Sequence, residues 1–218
     1  MLIEFTGLPG SGKTTIANKL IDRIGGEVDV KRGTFDHLGT MQRVGSKLAS
    51  ALSSFFIFPK YTFLIVKELF ANHNRKVEAV RDTLNILYLM KRYHKASKEI
   101  DAIYIFDKGL IQAFLSSCMY GQWSDKVFEI LKIYSDRVIF VDVSPKVSAQ
   151  RLSERGDKNS RSQKQTDKIQ HLVEQDEILN KIIDKLDLQD YKLMTVQNDG
   201  EMENKVIDQI ESWLFNEE

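Results

Sequence analysis

Residues Gly7 to Thr14 read Gly-Leu-Pro-Gly-Ser-Gly-Lys-Thr and satisfy the spacing G-x-x-x-x-G-K-[ST] in full. Leu2-Ile3-Glu4-Phe5-Thr6 ahead of them is a short, mostly apolar run of strand type. Thr15 to Ile21 behind them carries apolar residues at helical spacing. A strand, a glycine-rich turn and a helix in that order predict a backbone cradle for a polyphosphate. Glycines at 7, 10 and 12 permit the curl that aims successive N–H groups inward, and the dipole of the following helix adds positive potential. The spacing assigns Lys13 to the β- and γ-phosphates of a nucleoside triphosphate and the Thr14 hydroxyl to Mg²⁺. Pro9, Ser11 and Thr15 complete the expected nucleotide-binding stretch.

Lysine plus arginine and aspartate plus glutamate each total 31 in a chain of 218 residues, so the formal net charge is zero. That balance gives no reason to expect a nucleic-acid partner, and any basic site must be local. Cys118 is the one cysteine, which excludes an internal disulfide and suits a reducing cytoplasm. No signal-type segment stands ahead of the first strand, in keeping with the same compartment. The four histidines, at 37, 73, 94 and 171, show no ligand spacing, so a structural zinc is not expected.

The stretch from Leu48 to Val66 holds a single charge, Lys60, and approaches the length of a membrane span. Pro59 interrupts it and serines and threonines dilute it. Two amphipathic helices meeting at Pro59, buried or at a subunit interface, account for the pattern better than a span or peripheral membrane contact.

Strand-type runs recur between helical stretches: 27–31, 102–106, 137–143 and 191–196 after the first. Near-continuous hydrophobicity in the third and fourth implies strands covered on both faces. The expected fold is therefore α/β, a P-loop doubly wound sheet of about five parallel strands flanked by helices. Residues 36–99 are helical in pattern and form an insertion between the second and third strands. Helices are expected over 77–96, 164–186 and 202–214. No repeat or low-complexity linker divides the chain, so one domain spans 1–218. In such sheets ligands gather beyond the carboxyl ends of strands, which draws together Lys31 to Thr34, Asp107 to Gly109, Asp142 to Pro145 and Gln197 to Gly200.

Four segments then resemble the P-loop nucleoside and nucleoside-monophosphate kinase group, most nearly thymidylate-kinase-like proteins. They are the loop itself, 104–117, 138–157 and 196–214, in the group's order and over roughly half the chain. The resemblance implies transfer of the γ-phosphoryl of ATP·Mg²⁺ to a nucleoside or nucleoside monophosphate. It implies that Asp107 acts at the acceptor or holds Mg²⁺ through water. Arg151, Arg155 and Arg161 would close over the transferred group from a lid at 151–164, and Asp199 and Gly200 would flank the base. By analogy with the group, the apolar helices at 48–66 and 77–96 also suit a homodimer.

The acceptor half departs from the group. Lys108 stands where arginine is usual, and an ammonium cannot make the planar two-pronged contact of a guanidinium. Thr6 replaces an acidic residue, and the acidic-proline-glycine signature after the second strand is replaced by Arg32 to Asp36. Arg32, Asp36, Lys108 and Arg81 are the acceptor-binding candidates, with Phe35, Arg75, Tyr88 and Arg92 nearby in sequence or on the same helices. A sugar, an antibiotic or another metabolite stays open as acceptor. A nucleotide-dependent switch or assembly protein is the reading from a different class.

Overall fold

The computed structural model describes residues 1–33, 40–72, 76–119, 130, 135–155, 168–187, 192–198 and 203–216. Five strands form one sheet in the order β2-β3-β1-β4-β5. They are β1 (Leu2–Gly7), β2 (Asp29–Arg32), β3 (Ala102–Phe106), β4 (Arg137–Asp142) and β5 (Leu193–Gln197). Eight helices accompany them among the described residues: α1 (Lys13–Ile24), α2 (Thr40–Ile57), α3 (Pro59–Asn72), α4 (Lys76–Ala96), α5 (Leu110–Cys118), α6 (Pro145–Glu154), α7 (Lys168–Asp187) and α8 (Glu203–Asn216). The expected α/β sheet with helices inserted between the second and third strands is what forms.

The residues fall into two compact units. One comprises Met1–Glu4 with Lys31–Asp136, and the other Phe5–Val30 with Arg137–Glu218. In the first, β1 and β3 run parallel with Leu2 opposite Tyr104, Ile3 opposite Ile105 and Glu4 opposite Phe106. All five residues of β3 are buried, as a strand covered on both faces requires. Helix α4 buries Ala79, Thr83, Ile86, Leu87, Met90 and Tyr93 at steps of three and four residues and packs against α2 and α5. Ser54 on α2 ties the pair with a hydroxyl donated to the Leu87 carbonyl at 3.2 Å.

Pro59 is the first residue of α3, where its missing N–H and fixed φ suit a helix start. The stretch from Leu48 to Val66 is thus two helices, as its composition predicts. Its burial is partial. Ala51 and Ile65 are covered, whereas Leu52, Phe55, Phe56 and Phe63 are exposed. No helix among the described residues is long and apolar enough to cross a membrane.

In the second unit β4 and β5 are parallel from Val138 opposite Leu193 to Asp142 opposite Gln197. Helix α1 buries Ile16, Ala17, Leu20 and Ile24, the i, i+1, i+4, i+8 stripe of an amphipathic helix. Each large aliphatic side chain so covered contributes about 1.5–3 kcal/mol. Outside that stripe, Arg23 meets Asp208 at 2.5 Å and Glu211 at 2.6 Å on α8. Those exposed pairs add roughly 0–1 kcal/mol each.

The second strand is displaced from its expected position. It begins at Asp29 and includes Lys31 and Arg32, which the sequence pattern places partly beyond its end. An edge strand pairs on one side only, so its apolar alternation is weak and its register is set by its neighbour. Gly33 N–H donating to the Ile105 carbonyl at 2.8 Å fixes that register. The fourth strand ends at Asp142 instead of Val143, and the fifth ends one residue later than its pattern suggests.

Candidate functional site

The loop between β1 and α1 takes its form from glycine. Gly7 has φ 151°, Gly10 φ 85° and Gly12 φ 94°. At Gly7 a Cβ would also overlap the backbone carbonyl of Val141 on β4, so the close approach excludes any side chain. Gly12 is the N-cap of α1 in the left-handed region, and a Cβ there would overlap the Asn198 side-chain amide.

Lys13 opens α1 and is 9% exposed. Its ammonium donates to the carbonyls of Gly7 at 2.8 Å and Leu8 at 2.7 Å and to the Ser11 hydroxyl at 3.3 Å. The loop is therefore curled around a cation. These three acceptors occupy all three ammonium protons, so a polyphosphate arriving at the loop takes over bonds that the loop itself now holds.

Two other elements of the same unit brace the loop. Asn198, just past β5 and buried, donates its amide to the Ser11 carbonyl at 2.6 Å. Its own carbonyl accepts the Arg151 guanidinium at 2.8 Å. Helix α6 starts at Pro145 behind Ser144, whose hydroxyl accepts from the Val147 N–H at 3.3 Å as an N-cap. One face of α6 then presents Ser148 and Arg151, three residues apart. Ser148 donates to the Pro9 carbonyl while Arg151 holds Asn198. The structure thus gathers Gly7, Pro9, Gly10, Ser11, Gly12, Lys13 and Arg151 in one place. Thr14 and Thr15 follow in the first turn of α1. Arg155 is the exposed C-cap of α6. Arg161, Asp199, Gly200 and Asp36 lie outside the described residues, as do Phe35 and Arg75.

Substituting Gly12 by alanine forces a strained φ and displaces Asn198 together. The expected result is a stability loss of about 1–3 kcal/mol and a weakening of ATP binding, read by chemical denaturation and by calorimetry. Removing the amide as well, in Gly12→Ala/Asn198→Ala, should recover none of the strain. Full recovery of stability in that double variant would show that φ at residue 12 costs nothing.

The acceptor candidates lie in the other unit. Asp107 follows β3 directly and is 7% exposed, and Lys108 after it is exposed. Arg32 closes β2 and is exposed. Arg92 donates to the Gly33 carbonyl at 3.3 Å, which brings α4 to the end of β2. Arg81 is exposed and pairs with its neighbour Asp82 at 3.4 Å. It sits about 16 Å along α4 from Arg92 at the usual helical rise, so the two arginines do not share a contact.

Sequence reading missed one charged residue altogether. Glu4, in the middle of β1, is completely buried. Its carboxylate accepts the Tyr93 hydroxyl at 2.7 Å, the Ser135 hydroxyl at 3.0 Å and the Ile111 N–H at 2.6 Å. Burial pushes the Glu4 carboxyl from 4.5 up to about 7, against these donors, which all favour the ion. The same burial and the adjacent carboxylate raise the Tyr93 hydroxyl well above its ordinary value, so it stays a donor. The signal was a lone acid within an apolar strand.

A raised carboxyl binds its proton more tightly in the folded than in the unfolded chain. Its contribution to stability is therefore whole below pH 4.5 and is lost as pH rises through about 7. Over that window the loss is about 3 kcal/mol. Glu4→Gln should escape it, so its stability relative to the parent should improve from pH 4.5 to about 7 and then level off in urea titrations. Parallel stability curves for the two proteins would contradict the assignment.

No group of three or more histidine, cysteine, aspartate or glutamate side chains among the described residues is arranged to hold a metal ion. The chain instead offers single oxygens, with Thr14 directly after the loop lysine. That donor set fits Mg²⁺, which keeps several waters and binds through one or two protein oxygens plus substrate phosphates.

Over 162 residues the chain is 29% identical to a "Probable thymidylate kinase" of Thermoplasma acidophilum, spanning 73% of this chain and 74% of that protein. Among solved structures, deoxyadenosine kinase from M. mycoides with dCMP and dCDP matches with TM-score 0.53 at 18% identity, covering 99% of this chain and 100% of that one. Shikimate kinase from Acinetobacter baumannii in complex with shikimate matches with TM-score 0.52 at 15% identity, covering 99% and 93%. No protein-family model matches the chain. The two solved structures share its fold.

Proposed function

We infer that this chain is a P-loop kinase of the nucleoside and nucleoside-monophosphate kinase-like group and that it transfers the γ-phosphoryl of ATP·Mg²⁺ to a nucleoside or nucleoside monophosphate. One observation carries the reading: the glycine loop is closed around the Lys13 ammonium and braced by Asn198 and Arg151. The loop amides and Lys13 hold the β- and γ-phosphates, and Thr14 supplies a ligand to Mg²⁺. Mg²⁺ held there would supply neutralisation of the phosphate charge. An acceptor oxygen forms the new bond to the γ-phosphorus, the bond to the β,γ-bridging oxygen breaks, and ADP leaves. Asp107 orients the acceptor hydroxyl or phosphate and takes up a hydroxyl proton where there is one, or it holds Mg²⁺ through water. Arg151, fixed by the Asn198 carbonyl, supplies positive charge beside the transferred group. By the resemblance, Arg155 and Arg161 would complete the lid, and Asp199 and Gly200 would flank the nucleotide base. Arg32, Asp36, Arg81 and Lys108 are the acceptor-side candidates.

The relative's name points to a nucleotide acceptor, and the "Probable thymidylate kinase" covers most of this chain. Lys108 in place of arginine favours a second reading, a sugar or another metabolite as acceptor. The lone cysteine fits a reducing cytoplasm. ADP release from ATP·Mg²⁺ should be stimulated by thymidine monophosphate or a deoxynucleoside and be absent in Lys13→Ala. Stimulation only by a sugar, shikimate or an aminoglycoside selects the second reading. Release indifferent to every acceptor selects the nucleotide switch instead.

The exposed apolar residues of α2 and α3 would suit a homodimer interface. Phe56 is 88% exposed and Phe63 69%. Phe56→Glu should shift sedimentation from dimer to monomer; a parent protein that sediments as a monomer rules the dimer out.

A further inference from the structure

We propose that Glu4 is a positioning residue for the transfer reaction: its carboxylate serves as the cap of α5 and thereby fixes the turn that carries Asp107 and Lys108. The catalytic half of this inference rests on the kinase reading above, and the structural half rests on geometry alone.

Helix α5 follows the turn directly, and its N-cap is Gly109, with φ −92° and ψ −159° and no side chain to accept a hydrogen bond. The first N–H groups of a helix need outside acceptors. Glu4 provides one from a strand more than a hundred residues earlier, at 2.6 Å from the Ile111 nitrogen. The Gln112 backbone N–H also favours its ionised form. The negative charge lies at the positive end of the α5 dipole.

The carboxylate is itself held from two other directions. Tyr93 on α4 donates at 2.7 Å, and Ser135, two residues before β4, donates at 3.0 Å. The Tyr93 ring stacks on Phe106 with centroids 3.9 Å apart. Phe106 is the residue before Asp107 and lies opposite Glu4 in the sheet. At the far end of the turn, a Cβ on Gly109 would overlap both the Tyr93 hydroxyl and the Glu4 carboxyl. Asp107 and Lys108 are therefore bounded on one side by the Phe106–Tyr93 stack and on the other by a glycine seated on the Glu4–Tyr93 pair. An apolar residue would fill the centre of a buried strand with no desolvation cost. It could not accept the α5 N–H, and the turn would lose its fixed end.

A shift of about 1 Å in a positioned group can cost on the order of a hundredfold in rate. Full-length Glu4→Ala should lower kcat by about tenfold to a hundredfold, with the Kd for ATP within about twofold of the parent. Glu4→Gln keeps an acceptor for Ile111 and should return kcat to within about threefold of the parent. Hydrogen exchange supplies a reading independent of catalysis. Glu4→Ala should speed exchange at residues 109–112 and leave residues 10–14 unchanged. Should Glu4→Ala not fold, Tyr93→Phe keeps the ring and removes one donor. It should lower kcat by about threefold to tenfold with ATP binding unchanged.

Unchanged kcat in a folded Glu4→Ala or Tyr93→Phe variant overturns the positioning role. So does a loss of rate that Glu4→Gln does not rescue, or an exchange pattern that rises equally in both segments. A parent protein with no phosphoryl transfer overturns the kinase reading instead, and the exchange result still decides whether Glu4 fixes the turn.

Discussion

Lys13→Ala should lower phosphoryl transfer by at least about a thousandfold, equivalent to roughly 4 kcal/mol of transition-state stabilisation. The ammonium is the charge around which the loop closes, bonded to Gly7 and Leu8 carbonyls and to Ser11. Alanine leaves the amide cradle in place and removes the one cation that the motif aims at the β- and γ-phosphates. Loss of a single transition-state donor from a catalytic site commonly costs about 10²–10³ in rate, and Lys13 would bring a full charge. ATP affinity should also fall, since the same ammonium meets ground-state phosphates. The control is a cooperative unfolding transition, its midpoint lowered by the loss of the ammonium from the Gly7 and Leu8 carbonyls, while Asn198 and Ser148 still hold the loop from outside. Steady-state kinetics beside a thermal melt decide the matter. A variant that turns over within tenfold of the parent would mean that the cradle of amides suffices and that Lys13 is a structural plug.

Asp107→Asn has the second-largest expected effect, and a different signature. The side chain keeps its size in a position only 7% exposed, so folding should survive. What goes is the negative charge that the proposed mechanism assigns to orienting an acceptor or a metal-bound water. A loss of about 10²–10⁴ in kcat is expected for a general base or its equivalent, with ATP affinity within about threefold. Near-normal turnover would remove Asp107 from the mechanism. Because Glu4 acts through the turn that carries Asp107, Glu4→Ala should add little once Asp107 is already asparagine. Such non-additivity marks residues that work as one unit. Full additivity in the double variant would separate them.

The parts of this fold that depend on local rules were legible in the residues. The loop announced itself by glycine spacing, and its flanks by a strand pattern and a helical stripe. β3 needed only five consecutive apolar residues ending at an acid. Pro59 marked the break between α2 and α3 because a proline fits the first turn of a helix and no later one. Edge effects were not legible. Arg32 belongs to β2 because an edge strand takes its register from the neighbour, through the Gly33 bond to Ile105. The partial burial of α2 and α3 was equally hidden, since composition shows that a segment is apolar but not which part of it meets a partner.

The sequence by itself determined a glycine loop, its lysine, its sheet and the acid at the end of β3. Each is a property of residues close together in the chain. Only the tertiary structure decided what steadies those groups. Asn198 reaches the loop from 187 positions away along the chain, and Glu4 caps a helix that begins after Gly109. Both depend on strand order and parallel register, which bring distant residues to one hydrogen-bond length. Spacing in the sequence carries no trace of that closeness, because it arises only when buried donors and acceptors must find one another away from water.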